Sequence, residues 1–271
     1  MRVKDFRRTI LEELLVEQTI ADVLDIMDKI FHIPPAQAII ADDEELDDQI
    51  AEEILFRLGN GEPSAYIIGH VGFAGIEVQL NPYVLIPRPE TEELVTDIIA
   101  DKTLHPKRIL DLCTGSGCIA LALKKAFPRT EVVGSDISEE ALELARESAR
   151  REGLNVTFKR QDLLEGEEGT YDLIVSNPPY IPEGTMVECD YEPELALFSG
   201  PDGLDATRGI ARNLFKCLAP HGRAYFEIDP DHAAEVVELF VTAAKAAGVS
   251  AQVEIKNDLQ ERYRFVIVKL D

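Results

Sequence analysis

The chain has 271 residues, 45% of them hydrophobic, enough for one α/β domain with a smaller companion. A formal net charge of −24 weighs against a polyanionic partner, because nucleic-acid binders gather basic patches that displace counterions from phosphates. No apolar run approaches the length of a membrane span, and the start, Met1 to Arg8, lacks the apolar core of a secretion signal. Cys113, Cys118, Cys189 and Cys217 show no C-x-x-C spacing, so four reduced thiols in a cytoplasmic protein are expected.

From Thr9 to about Leu58 apolar residues recur at helical spacing. Ile10, Leu11, Leu14 and Leu15 are followed by Val23, Leu24, Met27, Ile30 and Phe31. Pro34-Pro35 breaks the run, and Leu46, Ile50, Ile54, Leu55 and Leu58 resume it until Gly59 and Gly61. A small helical bundle over residues 1–62 is expected, with apolar stripes that self-pack or dock a partner. From Tyr66 to Leu80 the pattern alternates, with Gly69, Gly72 and Gly75 as punctuation, which predicts a β-hairpin linker over residues 63–92. Residues 93–271 alternate strands and helices, as in an α/β sheet.

Within that last stretch Arg108 to Leu112 reads as a strand and Cys113-Thr114-Gly115-Ser116-Gly117 as a tight turn before a helix. Gly115 and Gly117 let the backbone turn sharply and approach a ligand closely. A second strand, Glu131 to Ser135, ends at Asp136, where an acidic residue can accept hydrogen bonds from a ribose diol. A third strand near Val156 to Phe158 leads into Gln161-Asp162-Leu163-Leu164, which can reach an adenine from the far side. Together these predict an adenosine pocket built on Cys113 to Gly117, Asp136, Asp162 and Leu163.

The fourth strand, Tyr171 to Ser176, runs into Asn177-Pro178-Pro179-Tyr180. Two prolines cannot continue a ladder, so the strand stops there and presents Asn177 at its carboxyl end, where open α/β sheets bind ligands. The Asn177 carboxamide oxygen and the Pro178 carbonyl can both accept from one planar NH2 group. Tyr180 would pack beside that plane and exclude water, or plug the loop from below. The stretch from Pro182 to Asp205 is long for a compact domain and is expected to lie over a substrate channel. Beyond it, Ala206 to Leu218 and Ala233 to Ala247 read as helices, and Arg223 to Ile228, Ala251 to Ile255 and Tyr263 to Val268 as strands.

Two adenosine-bearing cofactors suit this pocket. Gly115-Ser116-Gly117-Cys118-Ile119-Ala120 fits the dinucleotide pattern G-x-G-x-x-G/A with Asp136 at the expected distance, so a nicotinamide oxidoreductase is a rival reading. Asp111 before the glycines and the tetrapeptide after the fourth strand suit S-adenosylmethionine better, since a dinucleotide enzyme has no evident use for Asn177 to Tyr180.

With these residues the chain resembles the bacterial peptide chain release factor N5-glutamine methyltransferases. The resemblance runs through Tyr66-Ile67-Ile68-Gly69, Phe73-Ala74-Gly75, Val84 to Glu92 (VLIPRPETE), Asp111 to Gly117, Asn177 to Tyr180, Glu192 to Leu197 and Asp202-Gly203-Leu204, and is loose over the first sixty residues. It implies a class I methyltransferase (Rossmann-like) fold, a mixed seven-stranded sheet flanked by helices, preceded by the helical bundle and the hairpin. It also implies S-adenosylmethionine as methyl donor and the glutamine of a Gly-Gly-Gln loop in release factors as acceptor. Catalysis then falls to Asn177, Pro178 and Tyr180, and substrate binding to these with Pro179, Arg88 and Glu90. A ribosomal-protein glutamine and a nucleic-acid base amine are the alternative acceptors. His32, His70, His105, His221 and His232 form no ligand-spaced cluster, so no metal site is assigned. Three departures stand out. Cys113 occupies a position usually held by glycine, and the backbone is expected to shift so that it avoids positive φ. Ser199-Gly200 replaces Gly-Gly, and Glu227 to His232 differs from the usual Glu-Ile-Gly segment.

Overall fold

The structure is a computed structural model that describes residues 1–14, 19–187 and 191–271. Leu15 and Cys189 lie outside the described residues. These form two compact units, one drawn from residues 1–71 and 80–82 with Tyr191, the other from residues 72–79, 83–187 and 192–271.

The first unit is helical. α1 (Val3–Arg8) runs into a π-helical turn over Thr9–Glu13, and α2 (Ile20–Lys29), α3 (Pro35–Ile40), α4 (Asp48–Gly59) and α5 (Ser64–Ile68) follow. A capping box starts α2: the Asp22 amide donates to Thr19 Oγ1 at 3.2 Å, and the Thr19 amide donates to Asp22 Oδ2 at 2.8 Å. The other Asp22 oxygen accepts from the Ser64 hydroxyl at 2.5 Å, which ties α5 to α2. Phe6, Ile10, Ile26, Met27 and Leu58 are fully buried in its core. Pro35 does more than break the pattern: it sits in the first turn of α3, where its missing N–H would have no intrahelical partner. Leu46 precedes α4, which starts after Asp47 caps it. Tyr66-Ile67-Ile68, expected to begin the alternating stretch, is helical instead. Neighbouring Tyr66 and Ile67 are both buried, which a half-buried strand does not allow. The alternation belongs to β1 (His70–Phe73) and β2 (Ile76–Gln79), a two-stranded sheet of their own.

In the second unit α6 (Pro89–Ala100), β3 (Arg108–Leu112), α7 (Cys118–Ala126), β4 (Glu131–Asp136), α8 (Glu139–Glu152), β5 (Thr157–Arg160) and β6 (Tyr171–Ser176) come first. After them come α9 (Glu194–Leu197), α10 (Asp205–Cys217), β7 (Leu218–Glu227), α11 (Ala233–Ala247), β8 (Ala251–Asn257) and β9 (Tyr263–Leu270). Seven strands form one sheet in the order β5-β4-β3-β6-β7-β9-β8. The first five pair in parallel, and β9 runs antiparallel to both neighbours, so the sheet is mixed as expected. The interior strands β3 and β6 read as near-continuous apolar runs because both faces are covered. Leu110, Ile174, Leu214, Phe226, Phe240 and Val266 lie in one core, with the Phe226 and Phe240 rings stacked at 4.8 Å.

The chain leaves β3 toward β4 and β5, then crosses back to lay β6 on the other side of β3. The carboxyl ends of β3 and β6 therefore flank the point where strand order reverses, and a crevice opens there. Leu112 pairs with Ser135 on one side and Ser176 on the other. Cys113, Asp136 and Asn177 each come one residue past that shared level.

Candidate active site

The loop after β3 is pinned from below. Asp111, fully buried on β3, accepts from the Thr114 hydroxyl at 2.5 Å and from the Ala120 amide at 3.0 Å, both on Oδ2. The Thr114 amide donates to the Ser135 carbonyl at 3.0 Å, and the Gly117 amide to the Thr114 carbonyl at 2.8 Å. These bonds leave Cys113 no room to relax. It takes φ 55°, so the expectation that it would avoid the left-handed region is wrong. Such a residue costs about 1–2 kcal/mol, and the bonds on either side of it outweigh that strain. Gly117, at φ 84°, caps α7, and a Cβ on it would come within 3.0 Å of Ala145 Cβ. Only glycine fits that turn between β3 and α7 without displacing a neighbour on α8.

Asp136 closes the other side. Its Oδ2 accepts from the Gly115 amide at 2.9 Å and its Oδ1 from the Ser138 amide at 3.0 Å. Burial raises its pKa above the ordinary carboxylate value, with the backbone donors opposing. A carboxylate has about four lone-pair directions, more than these backbone donors use, which leaves room for a ligand. Asp111 is raised further, to about 7, because it is wholly buried and its Oδ1 has no partner. Burial also pushes the Cys118 thiol up to about 12, which keeps it from acting as a thiolate.

A cavity of about 670 Å³ opens over these groups. Of the residues expected to form the adenosine pocket, Cys113, Thr114, Gly115, Ser116, Asp136, Asp162 and Leu163 line it; Gly117 supports the turn without lining it. Asn177 and Pro179 also line it, so the end of β6 and the loop after β3 face one space. Pro178 is buried and Tyr180 half-buried, both outside that lining, with the Tyr180 hydroxyl donating to Glu227 Oε1 at 3.2 Å.

Arg88 and Glu90 stand elsewhere. Arg88 is ion-paired with the buried Glu192, which also accepts from the Ile86 amide at 3.1 Å, and Glu90 pairs with Arg262 at 3.1 Å. Neither lines the cavity, and both fasten the segment before and into α6. Asp202 pairs with Arg208 in the same structural way. The loop beyond Tyr180 is not structureless: Ile181 bridges Phe198, α9 intervenes, and Phe198 and Ser199 reach the cavity wall. Gly203, at φ 76°, packs so closely that a Cβ would meet the Tyr180 carbonyl oxygen at 2.3 Å. Sequence reasoning missed Thr91, Leu85, Phe198 and Arg212 in the lining. Thr91 lay in a quoted segment, but its role depends on a partner 136 positions away.

Among the described residues no group of three or more His, Cys, Asp or Glu side chains is gathered for a metal, and no helix is long and apolar enough to cross a membrane.

The family model of the methyltransferase small domain matches residues 91–191. The chain is 45% identical over 197 residues to the release factor glutamine methyltransferase of Bacteroides thetaiotaomicron, covering 69% of this chain and 70% of that one. It is 39% identical over 209 residues to the same-named protein of Deinococcus radiodurans, covering 75% and 73%. A solved methyltransferase from Pyrococcus furiosus shares the fold at 21% identity, with a TM-score of 0.52 over 72% of this chain and 89% of that one. Identity at that level across more than two thirds of both chains leaves one conclusion: this chain belongs to the release factor glutamine methyltransferase family.

Proposed function

We propose that the chain transfers the methyl group of S-adenosylmethionine to the side-chain amide nitrogen, N5, of the glutamine in the Gly-Gly-Gln motif of peptide chain release factors. One observation carries this reading. Asn177 opens onto the same cavity as the glycine loop and Asp136, so a nitrogen held by the asparagine faces whatever the loop holds.

The cavity residues fit the methyl donor. Asp136 keeps lone pairs for a ribose diol after its backbone donors are counted. The carboxylates of Asp136, Glu140, Asp162, Glu165 and Asp205 line the cavity against the single guanidinium of Arg212. That balance favours a cationic sulfonium and opposes the pyrophosphate of a nicotinamide dinucleotide. When bound, S-adenosylmethionine supplies an electrophilic methyl group on sulfur.

The chain's own residues supply position and charge. An amide nitrogen is a weak nucleophile because its lone pair is delocalised into its carbonyl. Hydrogen bonds from its NH2 to Asn177 Oδ1 and the Pro178 carbonyl would fix its direction and stabilise the positive charge that grows on it, an oxyanion hole with the signs reversed. Holding the reacting atoms about 3 Å apart and in line turns a rare encounter into a near-attack geometry. No strong base is required first, since the nitrogen becomes acidic only as the new bond forms. Tyr180, fastened through its hydroxyl, would buttress the strand end.

Residues 1–62 are proposed to dock the protein substrate. Among them Ile40 is 79% and Phe56 73% exposed, which leaves these two apolar side chains open to a partner. The net charge of −24 suits a basic protein partner.

Purified protein and labelled methyl donor, offered release factor, ribosomal protein and nucleic acid in separate reactions, test the reading. Label in the release factor is the expected result. Label only in the ribosomal protein or the nucleic acid would move the assignment to that acceptor.

A further inference from the structure

Thr91, at the start of α6, and Glu227, at the end of β7, are 2% and 1% exposed. The Thr91 hydroxyl lies 2.6 Å from Glu227 Oε2, and the Asn177 side-chain nitrogen lies 3.1 Å from the same hydroxyl oxygen. Glu227 Oε1 takes the Tyr180 hydroxyl at 3.2 Å. While Glu227 is ionised it has no proton to give, and both hydroxyls then donate to it. A hydroxyl has one proton. Once Thr91 spends it on Glu227, its oxygen can only accept, and what faces it from Asn177 must be the NH2 group.

We infer that Thr91 and Glu227 are positioning residues that fix which way the Asn177 carboxamide faces, turning Oδ1 away from Thr91 to serve as the acceptor. This rests on the reading of Asn177 as the group that holds the methyl-accepting nitrogen. The two ends of a carboxamide are nearly equal in shape but opposite in polarity. Rotated by half a turn, Asn177 would present NH2 to the substrate NH2, and a donor would face a donor. A fixed polarity avoids that state. It also accounts for a buried carboxylate placed next to the site with no visible role in the transfer.

The polarity holds while Glu227 is ionised. Burial raises its pKa, and Glu90 on α6 adds to that effect. Arg264 on β9 opposes it, as do the hydroxyls of Thr91 and Tyr180, and Cys118 on α7 also lies within its field. As pH falls through the raised pKa, Glu227 gains a proton of its own to donate, and Thr91 is free to reverse.

The test compares Thr91→Val, which keeps the shape and loses the hydroxyl, with Thr91→Ser, which keeps the hydroxyl. Steady-state methylation of a release factor, affinity for S-adenosylhomocysteine and thermal melting would be measured on each, with Asn177→Ala as reference. Thr91→Val should lower kcat by roughly tenfold to a hundredfold, with KM and cofactor affinity within about twofold of the starting protein, and Thr91→Ser should restore most of kcat. The starting protein should show an acid limb in its kcat–pH profile, and Thr91→Val should lose it. If Thr91→Val does not fold, Glu227→Gln carries the test through the same acid limb, which it should abolish. A kcat for Thr91→Val within about twofold of the starting value, or Thr91→Ser as slow as Thr91→Val, would overturn the inference. An active Asn177→Ala would instead overturn the reading of Asn177, and the two failures are told apart by that control.

Discussion

On the proposed reading, Asp136 serves both the scaffold and the ligand. Its carboxylate already holds the amides of Gly115 and Ser138, so it fixes the loop before any ligand arrives and would meet the proposed ribose with no reorganisation of its own. Asp136→Ala should therefore weaken S-adenosylhomocysteine by roughly tenfold to a hundredfold, since a hydrogen bond to a charged group contributes about 1.5–3 kcal/mol. Isothermal calorimetry on a variant shown to be folded measures this, and unchanged affinity would mean that the ribose binds elsewhere. At this scale the glycine loop, Asp136 and Asn177 were legible because each sits at a strand end marked by local chemistry. Thr91 and Glu227 were not. Nothing near either in sequence says that a hydroxyl on α6 and a carboxylate on β7 will meet, and only the folded sheet brings them within 2.6 Å. Cys113 misled for a related reason: intrinsic preference argues against φ 55°, but hydrogen bonds from its neighbours decide it.

Strand β3 carries a buried acid next to its carboxyl end, and that has a measurable cost. The folded-state pKa of Asp111 is raised from 3.8 to about 7 by burial. Between those values the folded protein keeps a proton that the unfolded chain has released, so this residue's contribution to stability falls as pH rises through that window. Asp111→Asn keeps an oxygen for the Thr114 hydroxyl and the Ala120 amide and removes the titration. The variant's stability relative to the starting protein should improve from pH 4 to pH 8, by on the order of 4 kcal/mol at most. Urea melts at several pH values would show it, and a difference independent of pH would contradict the assignment. The central elements of the sheet were legible because β3 and β6 are short apolar runs bounded by turn residues. α5 was not, since Tyr66-Ile67-Ile68 carries strong strand preference and becomes helical only through the burial of adjacent residues.

On the scale of the whole molecule, acidity and a largely helical first unit underlie the proposal for how a protein substrate is met. Substituting Ile40 and Phe56 together by serine should raise the KM for a release factor by about tenfold or more, while kcat and S-adenosylhomocysteine affinity stay near their starting values. Exposed residues change stability little, so a melting curve would separate docking from folding. An unchanged KM would assign docking to another surface. The chemistry of transfer has its own direct readout. A release factor incubated with the protein and methyl donor should carry one added methyl group, and fragmentation mass spectrometry should locate it on the side-chain nitrogen of the Gly-Gly-Gln glutamine, with none on a factor whose glutamine is replaced. A methyl group on any other residue, or an unmodified factor while nucleic acid in the same reaction is methylated, would contradict the account.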